Sequence, residues 1–155
     1  MNLLGTTGTR NIRQDDEPRY VDYLLRPEMH IYLAQFDGFV SGACFGWDAI
    51  FGSTMTLTYP DKEHFVIVPA DRSRVETWWY AFDFDKVHVI EMPDGTDYKQ
   101  RNQKIVDMSS ALFYCADYPE EHGKSKRSGT WQTVRLARKK GITPAGIIIH
   151  NEEQA

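Results

Sequence analysis

The sequence predicts an α/β domain whose mostly parallel sheet is covered by helices on both faces. Three observations carry that expectation. Short apolar runs without polar alternation, rich in β-branched types, recur along the 155 residues, as in strands buried on both faces. Longer stretches with apolar residues three and four apart lie between the runs. The alternation of the two implies βαβ crossovers, and hence parallel strands.

The runs come in order. Leu3-Leu4 leads into Gly5-Thr6-Thr7-Gly8-Thr9, Phe39-Val40 leads into Ser41-Gly42, and Phe65-Val66-Ile67-Val68 stops at Pro69. Val87-His88-Val89-Ile90 stops before Met92-Pro93, Ala111 to Cys115 leads into Ala116-Asp117, and Gly146-Ile147-Ile148-Ile149 is the last run. Between the first two, Asp15-Asp16-Glu17-Pro18 is a helix start, with acids in the first turn and an early proline. Tyr20, Tyr23, Leu24, Met29 and Leu33 then share an apolar face that Pro27 interrupts. Further helices are predicted over 47–57 (Trp47, Ile50, Phe51, Thr54 and Met55 on one face), over 99–109 (Ile105, Val106 and Met108 inward) and over 130–140. The last turns Val134, Leu136 and Ala137 inward and stops at Gly141. The polar stretch from Pro119 to Ser128 reads as a mobile loop.

Length and composition limit the rest. A chain of 155 residues with 41% hydrophobic and 26% charged residues suits one domain over 1–155, with a core of its own. No apolar run approaches the ~18 residues of a membrane helix. Met1-Asn2-Leu3-Leu4-Gly5 has neither a basic nor a long apolar region, so a soluble, cytoplasmic protein is expected. Cys44 and Cys115 are the two cysteines, which excludes a disulfide scaffold and a cysteine-rich zinc module. The five histidines (30, 64, 88, 122 and 150) show no pair at ligand spacing, so neither metal nor cofactor is expected. No G-x-G-x-x-G follows the first run and no G-x-x-x-x-G-K-[ST] occurs, which sets aside nicotinamide hydride transfer and P-loop phosphoryl transfer.

The net charge of −4 is uneven. Residues 99–140 hold ten basic and four acidic side chains, a net +6, so the remainder carries −10. Such a split focuses an anionic ligand on one face, unless it is only a lysine-rich solvated surface.

In open parallel sheets ligands bind beyond the carboxyl ends of the strands, and glycine-punctuated turns follow three of the runs. Gly8, Thr9 and Arg10 follow the first, with a tight glycine turn, a hydroxyl and a guanidinium suited to an anion. Ser41, Gly42, Gly46 and Asp48 follow the second, in a turn that aims backbone N–H groups and a helix start at phosphate. Ser128, Gly129 and Thr130 open the basic helix, with Lys124 to Arg127 beside them. Cys44 sits in the second turn, where a helix start lowers a thiol pKa. Trp78-Trp79-Tyr80 suits base stacking, core packing or a dimer interface.

This constellation resembles the SLOG superfamily of Rossmann-like domains, which includes DprA-type, lysine-decarboxylase-like (LOG) and YspA-related proteins. Thr7-Gly8-Thr9-Arg10 is similar to the T-G-S-R of the YspA-related group. Ser41-Gly42 through Gly46 and Asp48 matches the S-G-x-x-x-G-x-D of DprA-type domains. Pro69-Ala70-Asp71 resembles the P-A-D ending the third strand, and Arg101-Asn102 resembles the R-N that starts a helix. Ser128-Gly129-Thr130 with Val134 to Arg138 is similar to the G-G-x-G-T…V-R-x-A-R segment. The matches keep their order across residues 4 to 149.

The resemblance implies a single-domain Rossmann-like three-layer sandwich, with a nucleotide or nucleotide-derived sugar phosphate at the strand ends. It adds Asp71, Arg101 and Asn102 to the candidate ligand-binding residues and suggests a homodimer. LOG enzymes cleave the N-glycosidic bond of nucleoside monophosphates through P-G-G-x-G-T-x-x-E, but Thr133 stands where that glutamate would be, and Ser125 and Lys126-Arg127 stand where its proline and first two glycines would be. Binding or sensing without robust catalysis is therefore the leading expectation. A LOG-like phosphoribohydrolase is the alternative, and DprA-like single-stranded DNA binding, which a net negative charge disfavours, is the third.

Overall fold

The computed structural model describes residues 1–150. Six strands form one all-parallel sheet in the order β4-β3-β2-β1-β5-β6. They are β1 (Leu3–Gly8), β2 (Gly38–Gly42), β3 (Glu63–Val68), β4 (Val87–Glu91), β5 (Ala111–Ala116) and β6 (Ala145–Ile148). The helices are α1 (Glu17–Leu24), α2 (Pro27–Leu33), α3 (Trp47–Thr58), α4 (Tyr98–Met108) and α5 (Gly129–Lys139). The chain builds outward from β1 to β4, returns, and adds β5 and β6 on the other side of β1. The strand order therefore reverses between β1 and β5, which is where an open parallel sheet leaves a crevice.

Successive strand residues face opposite ways, and the two apolar layers follow from this. Leu4, Phe39 and Phe113 pack with Tyr20, Leu24, Met29, Leu33, Phe51 and Met55 of α1, α2 and α3. Leu3, Val40 and Leu112 pack with Ile105, Val106, Trp131, Val134 and Ala137 of α4 and α5. The result is the Rossmann-like three-layer sandwich the sequence implied. No helix among the described residues is long and apolar enough to cross a membrane.

Local chemistry explains the boundaries. Pro27 ends one helix and starts another, taking the first position of α2, where its missing N–H costs nothing. Asp97 and Gln100 close a capping box at the start of α4. At its other end, Lys140 Nζ donates to the carbonyls of Val106, Asp107 and Ser109 at 2.7–3.0 Å.

One expectation needs correction and one open choice is decided. The edge strand β4 is only partly buried, because no α-helix connects it to β3. That connection is instead a 3-10 turn at Trp78–Ala81, whose Trp78 and Trp79 bury against Ala49, Val66 and Val68. Only Tyr80 of the aromatic run is exposed, so the run is core rather than a stacking surface. The stretch 119–128 carries contacts of its own: Ser125 is buried and its Oγ donates to the Pro119 carbonyl at 2.7 Å, while Trp131 Nε1 donates to the Tyr118 carbonyl at 2.9 Å.

Candidate functional site

A cavity of about 450 Å³ opens at the reversal between β1 and β5, lined from four strand ends and the starts of α4 and α5. Its volume falls in the range of small-molecule sites. The loop after β1 forms its centre. Thr9 N–H donates to the Cys115 carbonyl at 2.8 Å, and the Thr9 carbonyl accepts from Trp47 N–H at 3.0 Å. Asn11 N–H donates to Thr9 Oγ1 at 2.9 Å, and Asn11 Nδ2 donates to Asp117 Oδ2 at 3.0 Å. The loop is thereby tied to both neighbouring strand ends, and Arg10 projects from it into the cavity. Gly8 owes its identity to a close neighbour rather than to a tight turn, because a Cβ there would collide with the buried Trp47 ring.

On the β2 side, Gly46 (φ +88°) starts α3 and lets Asp48 turn back under the cavity. Asp48 is buried; its Oδ2 accepts from Cys44 N–H at 3.3 Å and lies 3.9 Å from Arg101 Nη1. Gly42 leaves the space for this pair, since a Cβ would sit 2.7 Å from Arg101 Nη1 and closer still to the Asp48 carboxylate. Burial pushes the Asp48 carboxyl above the ordinary carboxylate range, against the opposing pull of Arg101. The Cys44 thiol is also raised, first by burial and then by Asp48. The expectation of a lowered thiol pKa thus fails, because desolvation outweighs the helix start.

From α4, Arg101 is 7% exposed. Its Nε donates to Asn102 Oδ1 at 2.9 Å, whereas its Nη1 has no hydrogen-bond partner among the described residues. The Tyr98 ring lies within cation–π reach of Arg10 (6.0 Å) and Arg101 (5.5 Å). From α5, Ser128 is the N-cap and accepts from Trp131 N–H at 3.2 Å. Gly129 faces open space, so the first turn of the helix is accessible from the cavity. Asn102 Nδ2 donates to Gln132 Oε1 at 3.4 Å, joining α4 to α5.

Of the residues singled out from sequence, Gly8, Thr9, Arg10, Asp48, Arg101, Asn102, Ser128, Gly129 and Thr130 line this one cavity. Gly42 and Gly46 lie behind its wall, against Asp48, Arg101 and Arg10, and Ser41 is buried on β2 and does not line it. Asp71 is outside: it is exposed, and its Oδ1 accepts from Ser73 N–H at 3.0 Å within its own loop. Arg74 from that loop reaches the cavity instead. Sequence reasoning missed Arg74, Tyr98, Asn11, Gln132 and Asp117. Asp117 follows an apolar run, so the strand-end rule had a signal for it.

Electrostatically the cavity gathers five cationic side chains (Arg10, Arg74, Arg101, Lys124 and Arg127) against Asp48 and Asp117. Four buried side-chain polar atoms among the described residues lack a partner. Three of them (Arg101 Nη1, Tyr98 Oη and Asp117 Oδ1) belong to residues lining this cavity. Buried polar groups are normally satisfied, so three orphaned atoms on residues of one cavity wall are unusual. No group of three or more histidine, cysteine or acidic side chains among the described residues is arranged to hold a metal ion. Fold and site together define a Rossmann-like α/β domain with a cation-lined polar cavity at its strand-order reversal. No family model, curated protein or solved structure matches the chain.

Proposed function

We propose that this domain binds a nucleotide or nucleotide-derived sugar phosphate at the carboxyl ends of its strands, as a binding or sensing module of the SLOG type. The observation that carries the reading is Arg101, a buried guanidinium whose Nη1 has no hydrogen-bond partner among the described residues, in the wall of a cavity that four more cations line. A buried cation without a full counter-charge is costly, and a phosphate supplies both charge and acceptor oxygens in the planar geometry a guanidinium prefers. The accessible first turn of α5 beside it adds backbone donors and the positive end of a helix. Four of the five motif matches support SLOG membership by falling at this cavity or in its wall; the Asp71 match does not.

Binding is favoured over hydrolysis by what occupies the position of the LOG glutamate. Thr133 is fully buried and its hydroxyl donates to the Gly129 carbonyl at 2.8 Å, so it presents no carboxylate to a glycosidic bond. A cavity of about 450 Å³ also fits a small ligand better than single-stranded DNA, which needs an extended basic groove.

The test is a thermal-shift screen against nucleoside phosphates and sugar phosphates, with each hit analysed chromatographically for free base. A ligand at 100 times its Kd stabilises by about 2.7 kcal/mol, which raises Tm by roughly 5–10 °C in a domain of this size. Arg101→Met and Gly129→Phe should each remove the shift. Retained shifts in both variants would place binding elsewhere, and released base would show turnover.

A further inference from the structure

Arg10 and Arg101 come to the cavity from different parts of the chain, one on the loop after β1 and the other on α4, and meet at the Tyr98 ring. The Arg10 guanidinium carbon lies 6.0 Å from the ring centroid and that of Arg101 lies 5.5 Å from it. The capping box of Asp97 and Gln100 fixes the first turn of α4, in which Tyr98 is the first residue. Arg101 follows three positions later, so the two side chains share one face of the helix.

Little else offsets these charges. Arg10 makes no ion pair among the described residues, and Arg101 has only Asp48, at 3.9 Å. Two cations beside one ring repel each other, and on flexible side chains they would turn apart into solvent. A carboxylate between them would hold them, but it would also neutralise the cavity and occupy the donors that an anion needs. An aromatic ring attracts a guanidinium through its quadrupole and adds no net charge. The ring, not the hydroxyl, is the part in use. Tyr98 Oη is buried without a partner among the described residues, and burial raises the phenol pKa, which keeps the group uncharged at neutral pH.

We propose that Tyr98 is a positioning residue, whose ring holds Arg10 and Arg101 in the cavity wall and leaves their charge available to an anionic ligand. The inference rests on the phosphate-binding reading above and adds to it that the cationic wall is set in place before any ligand arrives.

Calorimetric titration of the full chain with inorganic phosphate and with adenosine 5′-monophosphate, at fixed ionic strength, tests it. Tyr98→Leu should weaken binding of both by about 10-fold, within the range for lost cation–π contacts. Tyr98→Phe, which keeps the ring, should restore the wild-type affinity. In an Arg10→Met background Tyr98→Leu should cost less, because only one guanidinium is left to hold; a merely structural role would give additive losses. Wild-type affinity in Tyr98→Leu, equal losses in Tyr98→Leu and Tyr98→Phe, or an undiminished cost of Tyr98→Leu without Arg10 would overturn the role of the ring and leave phosphate binding standing. Failure of the wild type to bind either probe would instead bring down the phosphate reading, and the role of the ring with it.

Discussion

Gly46 offers a quantitative check on how the strand-end loops are locked together. It adopts φ +88° and ψ −134°, a conformation costing a residue with a Cβ about 1–3 kcal/mol. A Cβ there would also lie 2.6 Å from Arg10 Cα and 2.7 Å from the Thr9 carbonyl oxygen. Both neighbours are backbone atoms, so neither can rotate away, and overpacking of this kind costs a further 1–3 kcal/mol, roughly. Gly46→Ala should therefore destabilise the protein by about 4 kcal/mol, a large share of a typical domain's total.

Gly95 is the control. Its φ is +87°, yet a Cβ there meets nothing within 4 Å, so Gly95→Ala should carry a backbone penalty of about 1–2 kcal/mol and no collision. The entropy that alanine removes from the unfolded chain is common to both and cancels in the comparison. In urea denaturation a difference of about 2 kcal/mol separates the two midpoints by roughly 1 M, with m unchanged. Coincident midpoints would refute the reasoning. They would mean that the 41–46 turn moves freely away from Thr9 and Arg10, and that Arg10 is not held in place from behind.

Three further outcomes follow from buried groups. Trp47 Nε1 donates to Thr6 Oγ1 at 2.7 Å with both residues fully buried, so Trp47→Phe should cost about 2–3 kcal/mol in bond and packing; a double-mutant cycle with Thr6→Val should show a coupling of about 1 kcal/mol. The raised Asp48 pKa means that the folded state binds more protons than the unfolded one once pH exceeds the ordinary value of about 3.9. Its contribution to stability must therefore fall as pH rises through that window, and Asp48→Asn should remove this slope from a Tm-against-pH profile; parallel profiles would contradict it. Cys44 and Cys115 are buried, and burial pushes the Cys115 thiol up to about 12 and the Cys44 thiol upward. Both should resist a thiol-reactive dye at pH 8 in the native state and react on unfolding.

The sheet was legible because buried strands need apolar runs and crossover helices need a 3.6-residue period; both are local patterns. Most of the cavity was legible for a related reason, since ligand groups in this architecture follow the apolar runs. Charge was a poorer guide. Of the ten basic residues between 99 and 140, only Arg101, Lys124 and Arg127 line the cavity. Arg135 and Arg138 pair with Glu120, and Lys140 caps α4. Arg10 and Arg74 come from elsewhere in the chain, and only the fold brings them together. Burial was least legible of all. Neither the packing of Trp78 and Trp79 nor the desolvation of Cys44 follows from neighbours in sequence, because both depend on elements that arrive from a distance.

The two cavity carboxylates show how one site assigns different work to the same chemical group. Asp48 lies 3.9 Å from Arg101, too far for a hydrogen bond, and burial pushes its carboxyl upward against the pull of the guanidinium. The pair is therefore a loose one, without the hydrogen bonds by which a carboxylate engages a guanidinium. A closer, bidentate carboxylate would have satisfied Arg101 internally and closed the site. Asp117 is held on one side by Asn11 at 3.0 Å, and its other oxygen is buried without a partner among the described residues. The same group is thus set once against a guanidinium and once against an amide, and among the described residues neither makes a hydrogen-bonded ion pair.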